Sequence, residues 1–318
     1  MSYTVVSIII PAYNCEKYIA DTINSCINQD YSNIEVIVVN DGSTDSTQVI
    51  VEGFLYDPRV KLINQENQGV STARNVGINN SSGKYITFLD SDDTLAPDTI
   101  RKNIDLFSLY LDVAWLFFPI QRIDMNGNAV DKIANNMLPS FKYEKISKIS
   151  AREAFSLTTQ HRLPTCICSA MFKRDFIDIK FKQGRFEDTI MLMELLRKRE
   201  HILLSPYGAY NYFDRANSFI NKEWSADKWE SYVNVNVAIM QTELELFPSR
   251  KEIIEKRKSE FYYTLRYLKA KYRNDSDFAK PLTHYLKLVG NTKFSFKGWF
   301  KFVTKSALIN CLGILKKH

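Results

Sequence analysis

The sequence predicts an α/β fold: a mostly parallel central sheet flanked by helices, with a helical C-terminal extension. Apolar, β-branched runs at Val5–Ile10, Val36–Val39, Val60–Ile63 and Tyr85–Leu89 alternate with helically spaced segments at Glu16–Ile27, Thr44–Leu55 and Val70–Ile78. Strands apolar on both faces belong in a sheet that is covered on both sides. From about residue 220 the pattern turns almost wholly helical, through Trp224–Phe247, Lys251–Tyr272, Phe278–Leu288 and Phe300–Leu312. The expected division is therefore a domain over 1–218, split near residue 110, and a helical region over 219–318.

The middle of the chain is less regular. Asp98–Ser108 reads as a helix, Val113–Ile120 as one buried strand, and Asp124–Gly127 as a turn. Ala134–Lys148 has little periodicity and reads as a loop. Ala151–Thr159 and Asp188–Lys198 are amphipathic helices, and Leu203–Tyr212 holds one or two strands.

Composition narrows the class. The 318 residues are 45% hydrophobic and 25% charged, which excludes a mainly disordered or collagen-like chain. The longest apolar stretch is too short to span a bilayer, and the first residues lack a secretory pattern, so a cytoplasmic location is expected. Five scattered cysteines do not make a disulfide framework. Cys166 and Cys168 read as buried thiols on one strand, with metal binding the weaker reading. The four histidines have no ligand spacing, and neither a Gly-x-Ser-x-Gly elbow nor a Walker-type loop is present.

Polar loops follow three of the strands, and in open α/β sheets ligands bind beyond the carboxyl ends of strands. Leu89-Asp90-Ser91-Asp92-Asp93 gathers carboxylates that repel one another unless a cation or hydrogen-bond donors compensate. A hard divalent ion with a diphosphate co-ligand would do so; the plainer alternative has Asp93 or Thr94 starting the next helix. Asn40-Asp41-Gly42-Ser43 follows a second strand and Pro11-Ala12-Tyr13-Asn14 the first. An aromatic face and a carboxylate together suit a nucleobase. Each loop alone is explained by turn chemistry, but their common sheet edge is not.

Ser7-Ile-Ile-Ile-Pro-Ala-Tyr-Asn14, Val39-Asn-Asp-Gly-Ser-Thr-Asp45, Asn67-Gln-Gly-Val-Ser-Thr-Ala-Arg-Asn75 and Phe88-Leu-Asp-Ser-Asp-Asp93 occur in this order. Together they resemble the family 2 glycosyltransferases, which have the GT-A fold. The resemblance covers residues 5–110 closely and extends more loosely to about 218. It implies inverting transfer of a sugar from a nucleotide-diphosphate donor, usually a UDP-sugar, to a hydroxyl of a glycan or lipid-linked acceptor. It implies that Pro11, Ala12, Tyr13 and Asn14 line the base and ribose, and that Asp41 accepts from the pyrimidine N–H. By the same likeness Gly69 and Arg74 lie toward the nucleotide or its phosphates, Asp90 and Ser91 approach ribose and sugar, and Asp92 with Asp90 holds Mn²⁺ or Mg²⁺. Glu187-Asp188 matches the family's acidic pair, making Asp188 the expected base and Glu187 its neighbour; the plainer reading is a helix start. Arg215, in a Tyr/Arg/Ser segment, is expected to close over the diphosphate. One departure is Cys168-Ser169-Ala170, where relatives often carry a lysine; it bears on the acceptor pocket.

The net charge of +6 is concentrated at one end. No acidic residue follows Asp277, while 278–318 carries eight lysines, leaving the remainder at −2. Lys297, Lys301 and Lys305 share a helix face opposite Trp299, Phe300 and Val303. That pattern fits a helix lying on an anionic membrane, and so a peripheral site on the inner face of the cell membrane. A terminal helix packing its aromatics inward is the alternative. A neutral body argues against nucleic acid, and the helices after 220 are candidates for self-association. Two rival classes are a catalytically silent GT-A-like scaffold and a nucleotidyltransferase. The second would need a glycine-rich basic phosphate loop, which Pro11–Lys17 lacks.

Overall fold

The computed structural model describes residues 4–213 (except 125, 131–139, 179, 185 and 199), 226–252 and 255. The chain divides into two compact units, Met1–Glu223 and Trp224–His318.

The first unit begins with β1 (Val6–Ala12), α1 (Ile19–Ile27), β2 (Ile34–Asp41), α2 (Thr47–Glu52), β3 (Val60–Gln65), α3 (Val70–Asn79) and β4 (Tyr85–Phe88). It continues through β5 (Thr94–Leu95), α4 (Thr99–Leu109), β6 (Trp115–Phe117), β7 (Ile120–Ile123), β8 (Ala129–Val130), β9 (Ser147–Ser150) and α5 (Ala151–Thr159). Then come β10 (Ala170–Lys173), α6 (Glu187–Lys198), β11 (His201–Leu204) and β12 (Tyr210–Phe213).

The main sheet has the order β3-β2-β1-β4-β10-β6-β11-β9. Its first four strands are parallel. β10 opposes β4 and β6, β11 runs with β6, and β9 opposes β11. Six of the eight strands therefore point one way, as the apolar runs predict. β1 and β2 are buried along their whole length because helices cover them. Ala73 and Val76 of α3 pack on Ile37, Val39 and Ile63. Gly77 is required at this seam, since a Cβ there would sit 2.3 Å from Ile9 Cγ2. A second, smaller sheet has the order β5-β12-β7-β8.

Several expectations need correction. The strand expected over Val113–Ile120 is divided: β6 lies in the main sheet and β7 in the second, with Phe118–Pro119 between them. Proline lacks the N–H that would continue a ladder. Part of the loop expected over Ala134–Lys148 is strand, because β9 pairs with β11 at the sheet edge. Cys166 and Cys168 are not on a strand; Cys168 lies buried in a 3-10 turn, Ile167–Ser169, and Cys166, half-buried, is its N-cap. α2 is shorter than expected because Asp45 lies outside the helix, its carboxylate accepting from Thr47 N and Glu16 N. Asp93 does not start α4; it is buried, and Asp98 takes the N-cap position.

At the opposite end of the parallel strands, Glu35 is buried beneath Ser7, Ser82, Gly83 and Lys61, all of which donate to it. Burial alone would raise its pKa, but these donors hold it down at about 2. A depressed carboxylate stabilises the fold fully above its ordinary pKa and loses that contribution as pH falls toward the folded value. Glu35→Gln is therefore expected to cost about 3 kcal/mol at pH 7, since each tenfold gain in acidity on folding is worth roughly 1.4 kcal/mol. Urea titrations at pH 7 and pH 3 check this, the difference from the unsubstituted chain narrowing at the lower pH.

In the second unit, α7 (Ala226–Leu246) matches the helix expected over Trp224–Phe247. The other three expected C-terminal helices, including the basic tail, lie outside the described residues, apart from 251, 252 and 255. No helix among the described residues is long and apolar enough to cross a membrane.

Candidate active site

Because β1, β2 and β4 are parallel neighbours, their three following loops emerge at one edge. The first two are stitched together. Asn14, in the left-handed region at φ 49°, accepts from Thr44 N at 2.8 Å, and its own N–H donates to Ser43 Oγ at 3.0 Å. Asn14 thus joins two loops, while Tyr13 beside it is 49% exposed and Pro11 and Ala12 are buried at the end of β1.

Asp41, at the end of β2, is buried. Its Oδ1 accepts from Gln65 Nε2 at 2.6 Å and Gln68 N at 2.9 Å, and Oδ2 from Gly69 N at 2.8 Å. Gly69 has φ 86° and is the N-cap of α3, so this carboxylate fixes the start of that helix. A carboxylate has about four lone-pair directions, so Oδ2 retains one for a further donor.

α3 carries Arg74 to the centre of the site. Nη1 donates to Glu187 Oε1 at 2.7 Å and Asp188 Oδ1 at 2.8 Å, and Nη2 to Asp90 Oδ1 at 2.9 Å. The acidic pair enters at the first turn of α6, where carboxylates favour the helix dipole, after Gly184 at φ 118° and Phe186 at φ 60°. The segment before it is fastened to α3 by a reciprocal pair between Asn75 and the Phe181 backbone, both bonds 2.9 Å. Ser71 Oγ adds a bond to Lys182 O.

Asp188 Oδ2 accepts from Ile167 N at 3.3 Å. Burial pushes its pKa up to about 7, against the pull of Arg74 and with help from the charges of Glu187 and Asp90. Asp90 Oδ2 accepts from Tyr210 OH at 3.3 Å. The same hydroxyl lies against Asp93 Oδ2, its one proton shared between the two carboxyl groups, and Asp93 Oδ1 accepts from Phe213 N at 2.9 Å. Burial, then the charges of Asp92 and Asp90, raise the Asp93 carboxyl well above the usual range. Ser91 and Asp92 are half-buried, and the Ser91 carbonyl accepts from Thr22 Oγ1 at 3.0 Å.

The sequence-predicted residues Arg74, Asp90, Glu187 and Asp188 thus meet, and Asp41 meets Gly69. Arg215 lies outside the described residues. Sequence reasoning missed Tyr210, Asp93 and the Ile167 N–H. Tyr210 was visible only as part of a loose Tyr/Arg/Ser pattern. Among the described residues no three His, Cys, Asp or Glu side chains form a metal-holding group.

A family model described as "Glycosyl transferase family 2" matches residues 7–179. An uncharacterized glycosyltransferase of Haemophilus influenzae is 31% identical over 223 residues, covering 69% of this chain and 80% of its own. The chondroitin synthase of Escherichia coli is 37% identical over 155 residues, covering 48% of this chain but only 22% of the synthase. The crystal structure of Staphylococcus aureus TarS 1-349 in complex with UDP-GlcNAc superposes with a TM-score of 0.61 at 23% identity, over 75% of this chain and 66% of that one. At that identity the likeness is one of fold.

Proposed function

The chain belongs to glycosyl transferase family 2, and from that premise we propose inverting transfer of a sugar from a UDP-sugar to a hydroxyl of a glycan or lipid-linked acceptor in surface polysaccharide assembly. The observation that carries this reading is the meeting of Asp90, from the end of β4, with Asp188, from the head of α6, on one guanidinium.

In this reading Tyr13 stacks on the base, and Asp41 offers the remaining lone pair of Oδ2 to the pyrimidine N–H. Asp188 takes the proton of the acceptor hydroxyl as that oxygen attacks the anomeric carbon opposite the leaving diphosphate. Its raised pKa suits a base that works near neutral pH. Glu187 shares Arg74 with it and flanks the acceptor.

The donor set suits a hard divalent cation. Asp90 and Asp92 bring carboxylates to one strand end, and Mg²⁺-like ions are commonly held by one or two carboxylates with phosphate oxygens and water completing the shell. By the family resemblance Asp92 would be the principal ligand, with Asp90, which Arg74 and Tyr210 orient, beside it. A bound Mn²⁺ or Mg²⁺ would neutralise charge on the departing diphosphate.

Thermal unfolding with UDP tests the donor class. At about 100 times its Kd, UDP should stabilise the chain by about 2.7 kcal/mol. The rise in Tm should need Mn²⁺ or Mg²⁺ and vanish with EDTA. Identical melting curves with and without UDP and metal would sink the donor assignment.

A further inference from the structure

The sequence pattern directs attention to Arg74 as a nucleotide or phosphate contact, yet its surroundings are those of an internal support. The side chain is 3% exposed. A guanidinium has five N–H donors, four of them on the terminal nitrogens. Nη1 uses its pair on Glu187 and Asp188; Nη2 uses one on Asp90 and directs the other to Cys168 Sγ at 3.9 Å. The fifth, on Nε, is buried without an acceptor among the described residues, and the guanidinium carbon lies 5.3 Å from the centre of the Phe181 ring. No outward donor edge is left for a phosphate.

We propose that Arg74 is a positioning residue rather than a phosphate ligand: it locks Asp188 and Asp90 into one frame, with Tyr210 fixing the far end. The role given to Asp188 rests on the glycosyl-transfer reading above. Each of the two carboxylates is gripped through both oxygens. Asp188 is held by Arg74 and by Ile167 N, and Asp90 by Arg74 and by Tyr210 OH. Tyr210 is itself anchored by Asp93, whose other oxygen ties down the end of β12. The resulting chain Asp93–Tyr210–Asp90–Arg74–Asp188 connects the second sheet, the end of β4 and the head of α6. A lysine would keep the charge of Arg74, but its compact ammonium lacks the rigid fork that spans three carboxylates.

The experiment compares Arg74→Lys and Tyr210→Phe with the unsubstituted chain by calorimetric UDP binding in Mn²⁺ and by turnover of a panel of UDP-sugars. Arg74→Lys should bind UDP within about threefold of the parent yet lose about 100-fold in turnover, the scale of a misplaced catalytic group. Tyr210→Phe should show the same split with a loss of about tenfold. UDP affinity falling in step with turnover in Arg74→Lys would mark a phosphate contact and overturn the proposal. If that variant does not fold, full turnover in Tyr210→Phe overturns it. Failure of the parent to bind UDP or turn over any UDP-sugar would instead defeat the functional reading. The positioning claim then stands or falls on crystal structures of the two variants, and unmoved Asp188 and Asp90 would refute it.

Discussion

Asp188→Asn is expected to lower sugar transfer by about 10³-fold, within the range for loss of a general base, while UDP binds within about threefold of the parent. Asparagine has nearly the same shape and its oxygen can still accept from Arg74; its NH2 replaces the oxygen that accepts from Ile167 N, so the long bond at 3.3 Å is lost together with the proton acceptor. The pH profile adds an independent check. Burial lifts the Asp188 carboxyl to about 7, Arg74 pulling the other way and the charges of Glu187 and Asp90 reinforcing the rise. The base works only when ionised, so parent activity should rise about tenfold per pH unit on the acid side and level off above neutrality. The residual activity of Asp188→Asn should lack that limb. An unchanged rate, or the same acid limb in the variant, would remove Asp188 from the mechanism.

Asp92→Ala should weaken Mn²⁺-dependent UDP binding by about 100-fold, the upper end of what disturbing a metal's ligand surroundings costs. Calorimetry in Mn²⁺ and in EDTA separates the effect from a general loss of fold. The variant in Mn²⁺ should resemble the parent in EDTA, with circular dichroism unchanged. If Asp92→Ala keeps full Mn²⁺-dependent affinity, the ion is held elsewhere. The two substitutions should therefore fail differently, one at the donor and one at the proton.

The parallel first half of the main sheet was legible because its evidence is local. Apolar runs at β1, β2, β3 and β4 alternate with helices, and parallel order alone sends their loops to one edge. The entry of α6 could be read from Glu187-Asp188 at a helix start. What escaped depends on distant partners. β9 is a short, largely polar edge strand whose identity comes from pairing with β11, some fifty residues later. The break between β6 and β7 is marked only by Pro119, and the two strands join different sheets. Asp93 looked like a helix cap because its neighbours include Pro97 and Asp98. Its real partners, Tyr210 and the Phe213 backbone, come more than a hundred residues later. Nor does spacing reveal that the terminal nitrogens of Arg74 are consumed by carboxylates and a thiol.

The stitching of residues 181–182 to α3 sets a rule for anyone recombining related enzymes. The Asn75 amide reads the Phe181 backbone in both directions, so it matches main chain rather than a particular side chain. A transplant of the later half from a cousin need not match every side chain at that seam, although the Phe181 ring, packed on Phe88 and under Arg74, should stay aromatic. It must arrive with the same backbone path there, with two acids ready for Arg74, and with a tyrosine in the place of Tyr210 for Asp90 and Asp93. Chimeras cut just ahead of residue 181 should therefore fold when those few contacts are kept, whatever else diverges on the surface downstream.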